Sequence, residues 1–271
     1  MLLNTPAQQA WLQQLERACA CYGHRHLDVI VDQACWEQPL LPAIGMLQPP
    51  LPCFSLFQGL PEQRLEHLAP LLMRIDLNER RHKAWLAELA RHLWALPGLL
   101  VLFTPLAFST LSTTLRGLAQ FDWAGQVGLL RYFDTRVWPV LLDDVLSEAQ
   151  QARFTQVALG WAWLDRDQQP ILRHGTWRHD LPTPEEGPPL VLSDEQLDRL
   201  LDVRDAEGLM ALAGTYCRGA TQQARFALCL ELAREARTQG WLGNLEMYAG
   251  PRLEARWAAV AATAAGGQPW S

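Results

Sequence analysis

The sequence contains a single lysine, Lys83, and no run of basic residues. Its 23 basic and 29 acidic residues give a formal net charge of -6 at pH 7. Proteins that bind nucleic acid usually concentrate basic side chains into a patch or stripe, because the phosphate backbone supplies much of the affinity. We therefore expect no nucleic-acid partner.

Long apolar runs are absent as well. No segment approaches the roughly 20 consecutive apolar residues that cross a bilayer, and Met1 to Trp11 lacks the basic and then apolar pattern of a secretory signal. The six cysteines lie in core-like sequence of a chain too long to need disulfides, which is typical of reduced thiols. These features predict a cytoplasmic protein that makes no membrane contact.

The common catalytic and phosphate-binding motifs are missing too. The sequence has no Gly-x-Ser-x-Gly elbow, no phosphate-binding loop ending in Gly-Lys-Ser/Thr, and no Gly-x-Gly-x-x-Gly fingerprint. Cys19, Cys21, His24 and His26 are close in sequence, but Cys-x-Cys on a helix points its sulfurs in different directions, unlike a zinc knuckle. We predict no metal site and no cofactor.

What is present is an alternation of strand-like and helical segments. Apolar strand patterns occur at Leu27–Val31, Leu99–Phe103 and Val127–Phe133, and the amphipathic pattern of Arg80–Leu96 predicts a helix between the first two. With 49% hydrophobic residues, the chain has enough apolar side chains for a substantial core. The pattern predicts a mixed α/β fold with a partly parallel sheet flanked by helices.

A proline-rich segment interrupts this pattern. Residues 180–190 include Pro182, Pro184, Pro188 and Pro189 and cannot continue a helix or a central strand. We therefore predict an α/β lobe over residues 1–179, a linker over 180–190 and a smaller all-helical lobe over 191–271. Ser193 with Gln196 forms a capping box that predicts the start of the helical lobe's first helix.

The most informative local feature is a charged pair at a strand-to-helix turn. Asp134 and Arg136 follow the apolar residues Val127–Phe133, and Pro139 suits the first turn of the next helix. Asp32 ends an earlier strand and is the best single candidate for an enzymatic carboxylate. These charges could act on a substrate, or they could fix the turn, and the structural interpretation is favoured.

Several short segments resemble one known family. In order, the resemblance consists of a strand ending in Asp32; Ser55, Leu56, Phe57, Gly59 and Pro61; Ala69, Pro70 and Leu72; Leu115 and Arg116; and Tyr132, Phe133, Asp134, Arg136 and Val137. Together these resemble the bacterial family of type VI secretion effector adaptors, also called effector chaperones. Thr135 stands where that family usually has proline.

The resemblance implies an adaptor and not an enzyme. Such proteins bind one toxic effector in the producing cell and deliver it to the spike protein VgrG. The resemblance marks Asp32, Arg116, Tyr132, Phe133, Asp134 and Arg136 as signature residues. Two alternatives remain at this point: a small α/β enzyme that uses Asp32 and the Asp134–Arg136 turn, or an immunity protein that blocks the toxin.

The aromatic content suits a binding protein. Twelve tryptophans are spread through the chain, and tryptophan is favoured at the centres of protein interfaces. Tryptophans in strands are expected in the core, whereas those in loops and late helices are candidates for partner contact. We predict the latter role for Trp177, Trp241 and Trp257.

Overall fold

The computed structural model describes residues 5–180 and 187–266. The chain divides into two compact units, Met1–Leu192 and Ser193–Ser271. Residues 181–186, the centre of the predicted linker, lie outside the described residues. The predicted bounds of the two lobes and of the linker stay a prediction.

The first unit contains strands, α-helices and short helical turns. Its strands in the described residues are β1 (His26–Asp32), β2 (Cys53–Ser55), β3 (Pro70–Asp76), β4 (Leu99–Phe103), β5 (Gln120–Trp123), β6 (Gln126–Leu129), β7 (Gly160–Leu164), β8 (Pro170–His174) and β9 (Leu190–Val191). Its helices there are α1 (Pro6–Cys21), α2 (Leu41–Gly45), α3 (Arg80–His92), α4 (Phe108–Gly117), α5 (Trp138–Val140) and α6 (Glu148–Thr155). Gln33–Cys35 and Pro61–Leu68 form 3₁₀-helices, and Leu141–Val145 forms a π-helical turn.

Six strands form the main sheet, in the order β2-β3-β1-β4-β7-β8. Every neighbouring pair in this sheet is antiparallel. A second sheet has the order β6-β5-β9, and its β5–β9 pair is parallel. The predicted mixed α/β class is therefore confirmed, and the parallel pairing lies in the small sheet.

One face of the main sheet packs against α1 and α3. Alternate residues of β1, namely Leu27, Val29 and Val31, are fully buried there together with Trp11 and Leu86 of the two helices. Burying a side chain of this size stabilises a fold by about 1.5–3 kcal/mol. Strand alternation thus places the intervening residues of β1, Asp28 and Asp32 among them, on the opposite face.

The opposite face is covered by an aromatic cluster. The Trp138 and Trp161 rings lie 4.5 Å apart between centroids, and Tyr132 and Phe154 lie 5.2 Å apart. The predicted strand Val127–Phe133 ends at Leu129, because the chain leaves the small sheet and buries Tyr132 in this cluster. Asp134 and Arg136 therefore do not end a strand; they lie in a turn that begins beyond Leu129 and leads into α5.

The second unit is helical in its described part, as predicted, with α7 (Asp194–Tyr216), α8 (Gln222–Thr238) and α9 (Leu245–Gly266). The capping box of Ser193 and Gln196 is confirmed. Arg237 of α8 donates from Nε to Asp202 of α7 at 2.5 Å, which ties these two helices together. Within the part of the chain that the structure describes, no helix combines the length and the apolar character of a membrane span.

Candidate functional site

Asp32 is buried at the carboxyl end of β1 and forms an ion pair with Arg131. Its Oδ2 accepts a hydrogen bond from the Arg131 guanidinium at 2.7 Å. Its Oδ1 accepts from the backbone N–H of Ala34 at 3.0 Å, which caps the 3₁₀-helix Gln33–Cys35. Both carboxylate oxygens are therefore engaged, while the Arg131 side chain stays 48% exposed.

Asp134 and Arg136 form the second ion pair of the same region. The Asp134 carboxylate is buried and accepts from the Arg136 backbone N–H at 2.9 Å and from its Nε at 3.1 Å, both at Oδ1. The guanidinium also donates to Oδ2 at 2.7 Å. One side chain thus holds both the backbone and the side chain of the residue two positions later, which fixes the turn. The Arg136 side chain is 40% exposed.

The two ion pairs meet at one end of the main sheet. The backbone N–H of Asp32 donates to the Gly98 carbonyl at 3.0 Å, and that of Thr135 donates to the Pro97 carbonyl at 3.1 Å. Two consecutive carbonyls therefore hold segments that are about one hundred residues apart in sequence. We name Asp32, Arg131, Asp134 and Arg136 the charged corner.

Cys35 lies within the field of all four charges. Burial is the main cause that raises the pKa of its thiol, the two carboxylates also raise it, the two guanidinium groups lower it, and the pKa that results is about 11. Such a thiol is protonated at neutral pH and is a poor nucleophile. The Cys35 side chain also packs against Gly98, where an added Cβ would lie 2.9 Å from the Cys35 Cβ. The approach of these two segments therefore requires glycine at position 98.

Gln33 was not singled out by any motif, yet it links three segments beside the corner. Its buried amide donates to the Glu66 carbonyl at 3.0 Å and to the Ala69 carbonyl at 2.9 Å. Its Oε1 accepts from the Leu40 backbone N–H at 3.1 Å. A glutamine directly after a strand that ends in aspartate is the sequence signal, but it does not reveal the partners.

The remaining signature residues, Tyr132, Phe133 and Arg116, contact other parts of the first unit. Tyr132 and Phe133 are buried, and the Tyr132 hydroxyl donates to the Leu115 carbonyl at 3.0 Å. Burial raises the pKa of Tyr132 well above its ordinary value. Arg116 reaches the Ser55–Pro61 segment, where its guanidinium lies 3.5 Å from the Gln58 carbonyl and close to Gly59. Two segments of the resemblance therefore meet in space.

A further buried ion pair lies inside the sheet. Arg74 of β3 stands opposite Asp28 of β1 and donates to both of its carboxylate oxygens, at 2.8 and 2.9 Å. The same guanidinium donates to the Leu106 carbonyl at 2.9 Å. Burial raises the pKa of Asp28 to about 6 although Arg74 lowers it. A lone arginine within the apolar strand Pro70–Asp76 was the available sequence signal.

The cysteine and histidine residues near the end of α1 make internal contacts. The Cys19 thiol lies 3.4 Å from the His24 carbonyl and 3.1 Å from the His26 carbonyl and donates to these oxygens. The two imidazole rings lie 5.6 Å apart. Among the described residues, no group of three or more potential ligands is arranged to hold a metal ion.

The three tryptophans predicted to contact a partner differ in exposure. Trp177 is half-buried against the His179 ring, and Trp257 is half-buried with its indole N–H donating to the Arg218 carbonyl. Trp241 is exposed at the α8–α9 connection, next to Leu242. Leu242 is 99% exposed. The structure thus places only Trp241 of the three in an exposed apolar setting.

Comparison with known proteins gives one match. Residues 29–153 match the model of a family described as a domain of unknown function (DUF4123). No curated protein and no solved structure matches the chain. The matched segment runs from β1 into α6 and contains the whole charged corner together with Arg74 and Arg116.

Proposed function

We propose that the chain is a type VI secretion effector adaptor, which binds a toxic effector in the cytoplasm of the producing bacterium and delivers it to VgrG. The observation that carries the proposal is the DUF4123 match over residues 29–153. That segment also holds the motifs that resemble the effector adaptors, from Ser55–Pro61 to Asp134 and Arg136.

The chemistry of the charged corner supports this proposal over an enzyme. A general base needs a carboxylate oxygen that reaches a substrate proton. Both oxygens of Asp32 and both oxygens of Asp134 already accept hydrogen bonds from the chain itself. Removal of either carboxylate from its arginine would leave a buried charge, so these groups suit a structural role. We assign the charged corner to holding the Asp134–Arg136 turn in place.

Exposed apolar side chains of the second unit supply a contact surface for the effector. Trp241, Leu242 and Met247 are all exposed around the α8–α9 connection, with Met247 at 74%. Large exposed apolar groups that lie together are typical of protein interaction sites. The Trp241 indole N–H donates to the Asn244 carbonyl at 3.2 Å and its ring lies 5.3 Å from Tyr248, so one part of the side chain is held while the rest is exposed. We propose that Trp241 is one anchor of the effector, because it is more exposed than the half-buried Trp177 and Trp257.

Co-expression tests the proposal. The chain is produced with the effector and the VgrG that are encoded beside its gene, and effector level, co-elution and secretion are measured. An adaptor raises all three and leaves a susceptible target cell unprotected. W241A should lower co-elution, whereas L96A, which removes an equally exposed leucine from the first unit, should not.

Two results would contradict the proposal. Protection of a susceptible cell by the chain alone would indicate an immunity protein. An effector level and an effector secretion that are the same with and without the chain would contradict the adaptor role.

A further inference from the structure

An apolar groove runs along the free edge of the main sheet in the first unit. It lies between α1 and β8 and has a volume of ≈ 350 Å³. Its apolar walls are formed by Trp11, Leu15, Ala18, Cys21, Pro170 and Leu172. Leu172 is 47% exposed, which is high for an apolar residue of a central strand but suits an edge.

The register of the β7–β8 ladder shows which backbone groups of the edge are open. Asp165 and Gln169 form a hydrogen-bonded pair, because the Asp165 backbone N–H donates to the Gln169 carbonyl. Three positions earlier, in β7, Ala162 stands opposite Leu172. Hydrogen-bonded and non-hydrogen-bonded pairs alternate along an antiparallel ladder, so the Ala162–Leu172 pair is of the second kind. The N–H and C=O of Leu172 and His174 therefore point away from β7. In the described residues, no strand lies on that side.

The charge of the groove indicates which segment would fit. Arg17 is exposed on the groove wall, no acidic residue lines the groove, and no ion pair of Arg17 occurs among the described residues. Arg173 on the edge strand is already paired with Asp143 at 2.5 Å. The groove of a second copy of this chain would offer no acidic side chain to Arg17, whereas a segment with an acidic side chain would neutralise it.

We propose that this groove binds an extended segment of the effector, which adds to β8 as a further strand and places apolar side chains beside Leu172 and an acidic side chain beside Arg17. This inference rests on the proposed adaptor function and names the form in which the cargo is bound. Backbone hydrogen bonds supply affinity in such strand addition, and the alternate side chains supply selectivity.

The experiment uses the full chain and the effector encoded beside its gene. L172D should weaken the complex by about tenfold or more, the equivalent of losing one buried leucine contact and placing a charge in the groove. R17E should weaken it in a salt-dependent manner. Matched controls are V127D, an exposed apolar strand residue of the small sheet, and R64E, an exposed arginine of the 3₁₀-helix Pro61–Leu68, and both should leave affinity unchanged.

Hydrogen exchange gives a second readout that does not depend on a variant. The amides of Leu172 and His174 should become protected when the effector binds.

L172P removes an outward N–H that the β7–β8 ladder does not use, so it should weaken binding without a large loss of stability. If L172P does not fold, L172D, R17E and the exchange measurement still test the groove.

The outcomes separate the two proposals. A complex that L172D and R17E leave intact, with no protection at β8, overturns the groove and leaves the adaptor function standing. An effector that never binds the wild-type chain contradicts the adaptor function and the groove together. A dimer of the free chain that L172D dissociates would show that a second copy occupies the edge, and it would overturn the proposed occupant.

Discussion

Two buried aspartates of β1 have arginine partners in different settings. Asp28 lies within the sheet, and the Arg74 side chain that holds it is only 16% exposed. Asp32 lies at the end of the same strand, and its partner Arg131 is about half exposed. The Asp134–Arg136 pair resembles the second case, with a buried carboxylate and a guanidinium that reaches water.

The two settings give these ion pairs different roles in the fold. Removing both charges of a pair from water is costly, and burial raises the pKa of Asp28 to about 6 despite its two bonds from Arg74. In the charged corner, each guanidinium keeps part of its hydration and remains accessible to a partner. We therefore assign the pair inside the sheet to stability, whereas the charged corner contributes to stability and has guanidinium groups that are more open to contact.

The largest effect is expected from R74M. It leaves the Asp28 carboxylate buried without its cation, a change that typically costs about 3–5 kcal/mol of unfolding free energy. The double variant D28L/R74M removes both charges and should recover most of the loss. Chemical unfolding of the single and double variants measures the loss and the recovery of unfolding free energy. Equal stability of R74M and wild type would contradict the stabilising role of the Asp28–Arg74 pair.

The same variant has a predictable pH dependence. The folded-state pKa of Asp28 is raised from 3.8 to about 6, so the folded chain binds this proton more tightly than the unfolded chain. The stabilisation from this group is complete below about pH 4 and is lost as the pH rises to about 6. Without Arg74 the pKa of Asp28 rises further. The loss of unfolding free energy of R74M relative to wild type should therefore be larger at pH 8 than at pH 5.

A smaller effect is expected from R136A in the charged corner. Asp134 keeps the backbone N–H of residue 136 but loses two guanidinium bonds, which should cost about 1–3 kcal/mol. The melting temperature and the affinity for the effector should decrease together. The matched variant is R131A, which removes the guanidinium of the neighbouring Asp32–Arg131 pair. A loss of binding at unchanged melting temperature would instead indicate direct contact of Arg136 with the effector.

The smallest effect is expected from T135P, which introduces the proline that the resembling family usually carries. Proline restricts the unfolded chain, which favours folding by about 0.4–1 kcal/mol at a position whose backbone angles suit it. It also removes the Thr135 N–H that donates to the Pro97 carbonyl, at a cost of about 0.5–1.5 kcal/mol. The net change in unfolding free energy should therefore be within about 1 kcal/mol, as measured by chemical unfolding. A loss above 3 kcal/mol would contradict this balance.

Local patterns in the sequence predicted the elements better than their pairing. The strand Leu99–Phe103 and the Ser193 capping box are confirmed because apolar runs and cap residues act within a few positions. The antiparallel order of the main sheet could not be predicted, since strands buried on both faces have the same apolar pattern in either direction.

In the candidate site too, local features were predictable from the sequence and long-range contacts were not. The Asp134–Arg136 turn was predictable because its partners are two residues apart. The partners of Asp28 and Asp32 lie 46 and 99 residues away, and neither separation has a local signal. Arg131, Arg74 and Gln33 therefore emerged only from the three-dimensional arrangement.

The Pro97–Gly98 turn also restricts the length of the connection between α3 and β4. One inserted residue would lengthen the chain by up to about 3.5 Å, more than the bonds to Asp32 and Thr135 tolerate. An epitope tag or fluorescent label placed there would release β1 and the charged turn at the same time. The exposed hairpin at Ala124–Gly125 is the better insertion point for following this protein in a cell.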